Sequence, residues 1–251
     1  MKQTILITGG TGKFGRNFVR HFSLKGWQVI FTTTSKSRGD DLINQLENPI
    51  NTVYLVADFT KPTAINELVN EVSSKGYSVN HLVNNARNMN TLKINELGQS
   101  NREDFMGEYL MDVIVPYELS IGFYNKQFDS LNTVTNISSQ YGLVAANPNL
   151  YDDYFNQSAI QYGVAKSALN HLTKELAVRM AKKNIRVNCI AYGGVEGRVD
   201  EDFKSRYAAL TPSARMLEES EIAGPLDFLV GQDSTAFTGQ ILVADGGWTI
   251  W

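Results

Sequence analysis

The stretch ITGGTGKFGRN, residues 7–17, decides the fold. A short apolar segment, Thr4–Thr8, runs into it, and an amphipathic segment with the period of a helix, Lys13–Lys25, runs out of it. A strand that turns through glycines into a helix presents free backbone N–H groups to an anion, so the turn is expected to hold phosphate. A nucleoside triphosphate would need G-x-x-x-x-G-K-[ST]. Gly12-Lys13 supplies the G-K pair, but Ile7 stands five positions before Gly12, and Phe14 stands where the magnesium-binding hydroxyl belongs. A dinucleotide fits better. Gly9 permits the sharp turn, Gly12 admits backbone to a pyrophosphate, and Gly15 lets helix and strand pack closely. Thr11, Lys13 and Phe14 share the turn and are candidate cofactor contacts with these glycines.

Outward from this turn, short apolar runs alternate with longer amphipathic ones. Strands are predicted at Thr4–Thr8, Gln28–Thr33, Thr52–Ala57, His81–Asn84, Leu131–Ile137, Arg186–Ala191 and Gln240–Ala244. Helices are predicted at Lys13–Lys25, Arg38–Gln45, Pro62–Lys75, Arg102–Phe128, Gln161–Lys183 and Glu219–Leu229. This alternation implies an α/β fold: a single-domain, Rossmann-type, doubly wound parallel sheet of about seven strands with helices on both faces. Ligands of such sheets sit beyond the carboxyl ends of the strands. The second strand ends in FTTTSKSRGDD, with Thr34, Ser35 and Lys36 where an NAD enzyme would place an acid for the ribose 2′-hydroxyl. Hydroxyls and the cations Lys36 and Arg38, with Lys13 nearby, suit a 2′-phosphate and favour NADP. NAD is the alternative, since Asp40 and Asp41 stand close by; the competing reading of Lys36 and Arg38 is a solvated loop.

With 251 residues and 43% apolar content, residues 1–251 are read as one dinucleotide-binding and catalytic domain. A net charge of −3 argues against nucleic acid or an anionic membrane as partner. No apolar run is long enough to span a bilayer, the amino terminus lacks a signal-peptide pattern, and the lone Cys189 suits a reducing compartment; a cytoplasmic location is expected. His21, His81 and His171 lack metal-ligand spacing, so no metal is expected.

The segment YGVAKSALNHLTKELA places Tyr162 and Lys166 four residues apart, on one face of a helix that sends Leu169, Leu172 and Leu176 toward the core. Taken alone, the pair also fits an amphipathic tyrosine and a snorkelling lysine. Upstream, VTNISSQYG ends a strand with two serines at the expected ligand edge. Together with TGGTGKFG, the acidic turn Asp58-Phe59-Thr60, the NNA of LVNNAR, IRVNCIAYGG and TGQILVADGG, these motifs occur in the order found in short-chain dehydrogenases/reductases. The chain resembles that family over nearly its whole length.

The resemblance implies a hydride exchanged between a nicotinamide and an alcohol/carbonyl pair. Tyr162 would be the acid or base, Lys166 its electrostatic partner and the anchor of the nicotinamide ribose, and Ser139 the hydrogen-bonding partner of the substrate oxygen. Ser138 would face the other side of the strand. Asp58 and Phe59 would meet the adenine, while Asn85, Ala86 and Val195 would line the cofactor. Relatives pair through the helix carrying the tyrosine and its neighbour, so a homodimer or homotetramer is expected.

Several positions depart from the family's pattern. The turn reads T-G-x-x-G-x-x-G, more typical of its extended members. Arg87 replaces a glycine, placing a cation or a bulky side chain at the pocket's edge. Asp112 replaces an asparagine of the proton relay and is read either as catalytic or as structural. Tyr192 replaces a proline and is read as reaching substrate or as packing. Ser139 and Tyr162 stand 23 positions apart, a longer interval than usual, filled by GLVAANPNLYDDYFNQSAIQ. Segments around 141–161 and 193–218 are expected to meet substrate, and the polar and aromatic content of the first suits a sugar or sugar derivative; a surface loop or subunit contact is the competing view. The ensemble is similar to bacterial dehydrogenases of flagellin-glycan and nonulosonate sugar pathways. Alternatives to a dehydrogenase are an impaired NADP-binding sensor or scaffold, and an epimerase or dehydratase using transient oxidation.

Overall fold

Runs of Val, Ile, Leu and Thr form a parallel sheet in the computed structural model, which describes residues 3–197 and 199–251. Among these residues the strands are β1 (Thr4–Ile7), β2 (Gln28–Thr33), β3 (Thr52–Val56), β4 (His81–Asn84), β5 (Thr133–Ser139), β6 (Arg186–Tyr192) and β7 (Ile241–Ala244), in the order β3-β2-β1-β4-β5-β6-β7. Successive side chains face opposite layers. Ile5 and Ile7 enter one buried layer with Phe31, Val83 and Ile190; Leu6 enters the other with Ile30, Leu82 and Val134. A strand buried on both faces needs this near-continuous apolar run.

Nine helices complete the described chain: α1 (Lys13–Leu24), α2 (Lys36–Asn44), α3 (Ala64–Ser74), α4 (Arg102–Tyr109), α5 (Val115–Gln127), α6 (Tyr154–Gln157), α7 (Ile160–Met180), α8 (Glu201–Ala209) and α9 (Ala223–Val230). From β1 the chain winds outward through β2 to β3, then crosses back to β4 on the other flank of β1. The reversal opens a crevice at the carboxyl ends of β1 and β4, where such sheets bind ligands.

The structure corrects three sequence expectations. The single helix predicted at Arg102–Phe128 is two helices joined by a wider π turn at Leu110–Ile114. Pro116 is the physical reason: without an N–H it cannot bond the Asp112 carbonyl in an α-helical ladder, so it sits instead in the first turn of α5. β5 continues to Ser139, which makes both serines strand residues. α2 starts at Lys36, because Ser35 caps it by accepting a hydrogen bond from the Arg38 N–H. The segment 193–218, expected to meet substrate, contains α8, and its residue 198 lies outside the described residues.

Candidate functional site

The crevice is a cleft of about 800 Å³. Gly9, Thr11, Gly12, Lys13 and Phe14 of the glycine turn line it. Gly9 has φ +65°, and a Cβ there would stand 2.8 Å from the Ala86 Cα, so only glycine fits both the left-handed turn and the approach of β4. Gly15 lies below the cleft rather than on it; a Cβ there would overlap the Gly9 carbonyl. Gly15 therefore shapes the turn itself, and contact with the neighbouring strand falls to Gly10, which packs on Phe31. The turn is fixed to the sheet by Thr8, whose hydroxyl accepts from the N–H groups of Asn85 and Ala86 at 2.9 Å each. The Asn85 amide donates to the Thr8 and Gly9 carbonyls, so this residue holds the cradle together while bordering it.

At the outer end, Thr33, Thr34 and Arg38 line the cleft, whereas Ser35 and Lys36 do not. Ser35 is occupied in capping α2, and Lys36 points outward from its first turn. The cation at this end is Arg38, whose guanidinium donates to Thr34 Oγ1 at 2.9 Å. Of the two nearby acids, Asp40 accepts from the Tyr54 hydroxyl at 2.6 Å, and neither it nor Asp41 borders the cleft. Lys13 is engaged elsewhere, donating to the Val195 carbonyl at 3.1 Å and standing 4.0 Å from Glu219, so it serves the β6 side of the turn. Asp58 lines the cleft, and hydrogen bonds from the Thr60 hydroxyl and N–H hold its carboxyl below the usual range. Phe59 borders the same end but belongs to the core.

Ser139, Tyr162 and Lys166 meet at the inner end, at the tip of β5 and the first turns of α7. Lys166 Nζ lies 5.7 Å from the centre of the Tyr162 ring. It is buried, and it donates to the Ile137 carbonyl and to Asp112 Oδ1, both at 2.9 Å. Asp112 stands behind the lysine rather than on the cleft wall. Ser139 Oγ accepts from the Tyr141 N–H at 3.2 Å, which leaves its own hydroxyl hydrogen free to donate. Ser138 faces α7, with its hydroxyl 3.4 Å from the Lys166 carbonyl, yet it also borders the cleft. Tyr192 packs: it is 2% exposed, stacks edge-on with Phe14, and donates its hydroxyl to the Ile222 carbonyl.

The two segments expected to meet substrate both reach the cleft. Tyr141 and Tyr151 of the first share a 2.9 Å hydroxyl contact, and Tyr207 of the second stacks on Trp248 while donating to Gln140. Gln140 and the buried Glu108 escape sequence reasoning. Glu108 is fully buried one helical turn before Asp112. Burial first, then the Asp112 charge, pushes its carboxyl up, while the Thr91 hydroxyl, Arg87 and Lys166 oppose that shift. Nothing in REDFMGEYLMD separates buried Glu108 from exposed Glu103 or half-buried Asp104. Among the described residues no cluster of His, Cys, Asp and Glu could hold a metal, and no helix is long and apolar enough to cross a membrane.

The geometry fits a nicotinamide dinucleotide. The first-turn N–H groups of α1 open onto the glycine turn, where Gly9 and Gly12 line the cleft, and the cleft runs from there to both Arg38 and Tyr162. Comparison with known proteins agrees. A family model, adh_short_C2, described as enoyl-(acyl carrier protein) reductase, matches residues 13–249. The post-translational flagellin modification protein A of Campylobacter coli is 26% identical over 97% of this chain and 97% of its own length. The 3-oxoacyl-[acyl-carrier-protein] reductase FabG of Thermotoga maritima is 28% identical over 98% and 97%. A short-chain dehydrogenase from Leptospira borgpetersenii, solved with bound NAD+, superimposes with a TM-score of 0.87 at 26% identity, covering 99% of this chain and 93% of that one.

Proposed function

We propose, since the chain belongs to the short-chain dehydrogenase/reductase family, that it is an NADP-preferring dehydrogenase or reductase of a sugar or sugar derivative. The family makes it an oxidoreductase of the CH–OH/C=O couple that uses NAD or NADP. The observation that carries the reading is the convergence of Ser139, Tyr162 and Lys166 on the cleft that also holds the glycine turn. The bound nicotinamide supplies or accepts the hydride. Tyr162 Oη gives its proton to the carbonyl oxygen in reduction and takes it from the alcohol in oxidation. Ser139 donates a hydrogen bond to the same oxygen. Lys166 has three N–H donors, of which Asp112 and Ile137 use two; the third would hold the ribose hydroxyls of the nicotinamide. Asp112 is a positioning residue, because its carboxylate fixes an ammonium that burial would otherwise disfavour.

The preference for NADP rests on Arg38 and Thr34 at the outer end and on the absence of a free carboxylate among the described lining residues there apart from Asp58, already bound to Thr60. The sugar reading rests on the wall of Asn88, Asn90, Gln140, Tyr141 and Tyr151, which mixes amides with ring faces. Exposed Tyr109, Ile114, Tyr117 and Val164, on or beside the helices through which relatives pair, support a homodimer or homotetramer; light scattering of the purified protein reads the assembly directly. A panel of free, phosphorylated and nucleotide-linked sugars, followed by NADPH absorbance alongside steroid and acyl ketones, tests the substrate class. Turnover of a carbohydrate supports it; turnover confined to steroids or acyl ketones refutes it.

A further inference from the structure

Arg87 carries the charge that the dehydrogenase chemistry leaves unused. It follows Ala86 just past the end of β4, borders the cleft, and places its guanidinium over the Tyr162 ring, with Cζ 3.9 Å from the ring centre. One edge turns toward Glu108, with Nε 3.5 Å from Oε1, but no hydrogen bond forms between them. The guanidinium donates no hydrogen bond to any described residue, so both terminal nitrogens are unused; the side chain is 26% exposed. This contact holds the fork of donors against the residue that handles the proton.

The counter-charge of this cation, Glu108, stands on its Nε side, away from the cleft, and leaves the two terminal nitrogens without a hydrogen-bonding partner among the described residues. Lys166 is neutralised by Asp112 at 2.9 Å. Glu108 is fully buried, forms a 3.5 Å ion pair with Arg87 Nε and does not border the cleft, so it does not occupy the fork on the cleft side. Asp58, the acid among the described lining residues, stands at the adenine end beside Thr60. A planar fork of free N–H donors in a partly enclosed site matches the two oxygens of a carboxylate or phosphate.

We propose that Arg87 is an oxyanion-binding, specificity-determining residue and that the substrate is an acid, its carboxylate or phosphate paired with the guanidinium while its alcohol or carbonyl meets Tyr162. This deepens the dehydrogenase reading and rests on it. Three probes with one carbon skeleton separate the cases: sorbitol, gluconate and sorbitol 6-phosphate, titrated calorimetrically into the NADP-loaded protein. At least one acid is expected to bind tenfold or more tighter than sorbitol, and which one identifies the anion. Arg87→Met removes that advantage, and Arg87→Lys, which keeps the charge without the fork, retains part of it. NADPH affinity of both variants, read by fluorescence, stays within threefold of the parent and shows that the site is folded. Acids binding no better than sorbitol, or an advantage that survives Arg87→Met, overturns the proposal. A tenfold loss of NADPH affinity in both variants also overturns it, by assigning Arg87 to the coenzyme. A parent protein that binds no NADPH defeats the dehydrogenase reading itself, which normal NADPH binding without acid preference does not.

Discussion

Lys166 and Asp112 form an ion pair, 2.9 Å between Nζ and Oδ1, with side chains only 7% and 1% exposed. The wide turn at Leu110–Ile114 brings the carboxylate under the lysine, so a backbone irregularity sets the electrostatics beside Tyr162. A lone ammonium at that depth would lack both water and a counter-charge. Replacing Asp112 by alanine is therefore expected to lower the unfolding free energy by about 3–5 kcal/mol. Urea denaturation monitored by far-UV circular dichroism measures the loss; a change below ~1 kcal/mol would mean that water takes the carboxylate's place.

Tyr162 carries the proton in the proposed reaction, and Phe removes only that hydroxyl. Turnover of Tyr162→Phe should fall by about 10²–10⁴-fold, the usual contribution of a positioned acid or base. NADPH should bind as before, because the cradle and Lys166 are untouched. Steady-state kinetics beside fluorescence titration separates the two effects; turnover near the parent level would remove Tyr162 from the chemistry.

Arg38 is the cation at the outer end of the cleft, tied to Thr34. A charge-assisted hydrogen bond contributes about 1.5–3 kcal/mol, so Arg38→Ala should weaken NADPH binding about 10–100-fold. NADH, lacking the 2′-phosphate, should bind the variant and the parent alike. Parallel titrations decide this, and equal losses for both coenzymes would place Arg38 elsewhere in the binding energy.

His81 opens β4 and is 4% exposed, between Thr133 Oγ1 at 2.8 Å and Gln3 Oε1 at 3.0 Å. Burial, and then the charge of Arg186, pushes the imidazole from 6.5 down to about 4. Between these values the unfolded chain binds more protons than the folded one. Stability is thus fully present above pH 6.5 and is lost as the pH falls toward 4, by about 3 kcal/mol. Chemical denaturation of the parent and of His81→Gln at pH 7 and pH 4.5 tests this: the glutamine variant should lose clearly less over that interval.

Most of the fold was legible because it rests on local periodicity. β1, the glycine turn and α1 follow from spacing alone, as do Tyr162 and Lys166 on one face of α7. The helix predicted across Arg102–Phe128 failed at Pro116, whose missing N–H outweighed an otherwise continuous helical pattern. At the outer end of the cleft, Thr34 lines the wall while Ser35 and Lys36 do not, since a helix cap consumes the first and sends the second outward.

By itself the amino-acid sequence determined the alternating architecture, the phosphate cradle and the Tyr162–Lys166 spacing, all properties of residues close together along the chain. Only the tertiary structure decided that Arg87 lies on Tyr162, that Asp112 neutralises Lys166 and that Arg38 rather than Lys36 reaches the cleft. Arg87 and Tyr162, like Asp112 and Lys166, stand on different elements of the chain. The direction a charge faces, and the partner that cancels it, depend on the packing of such distant segments and on the water that packing excludes.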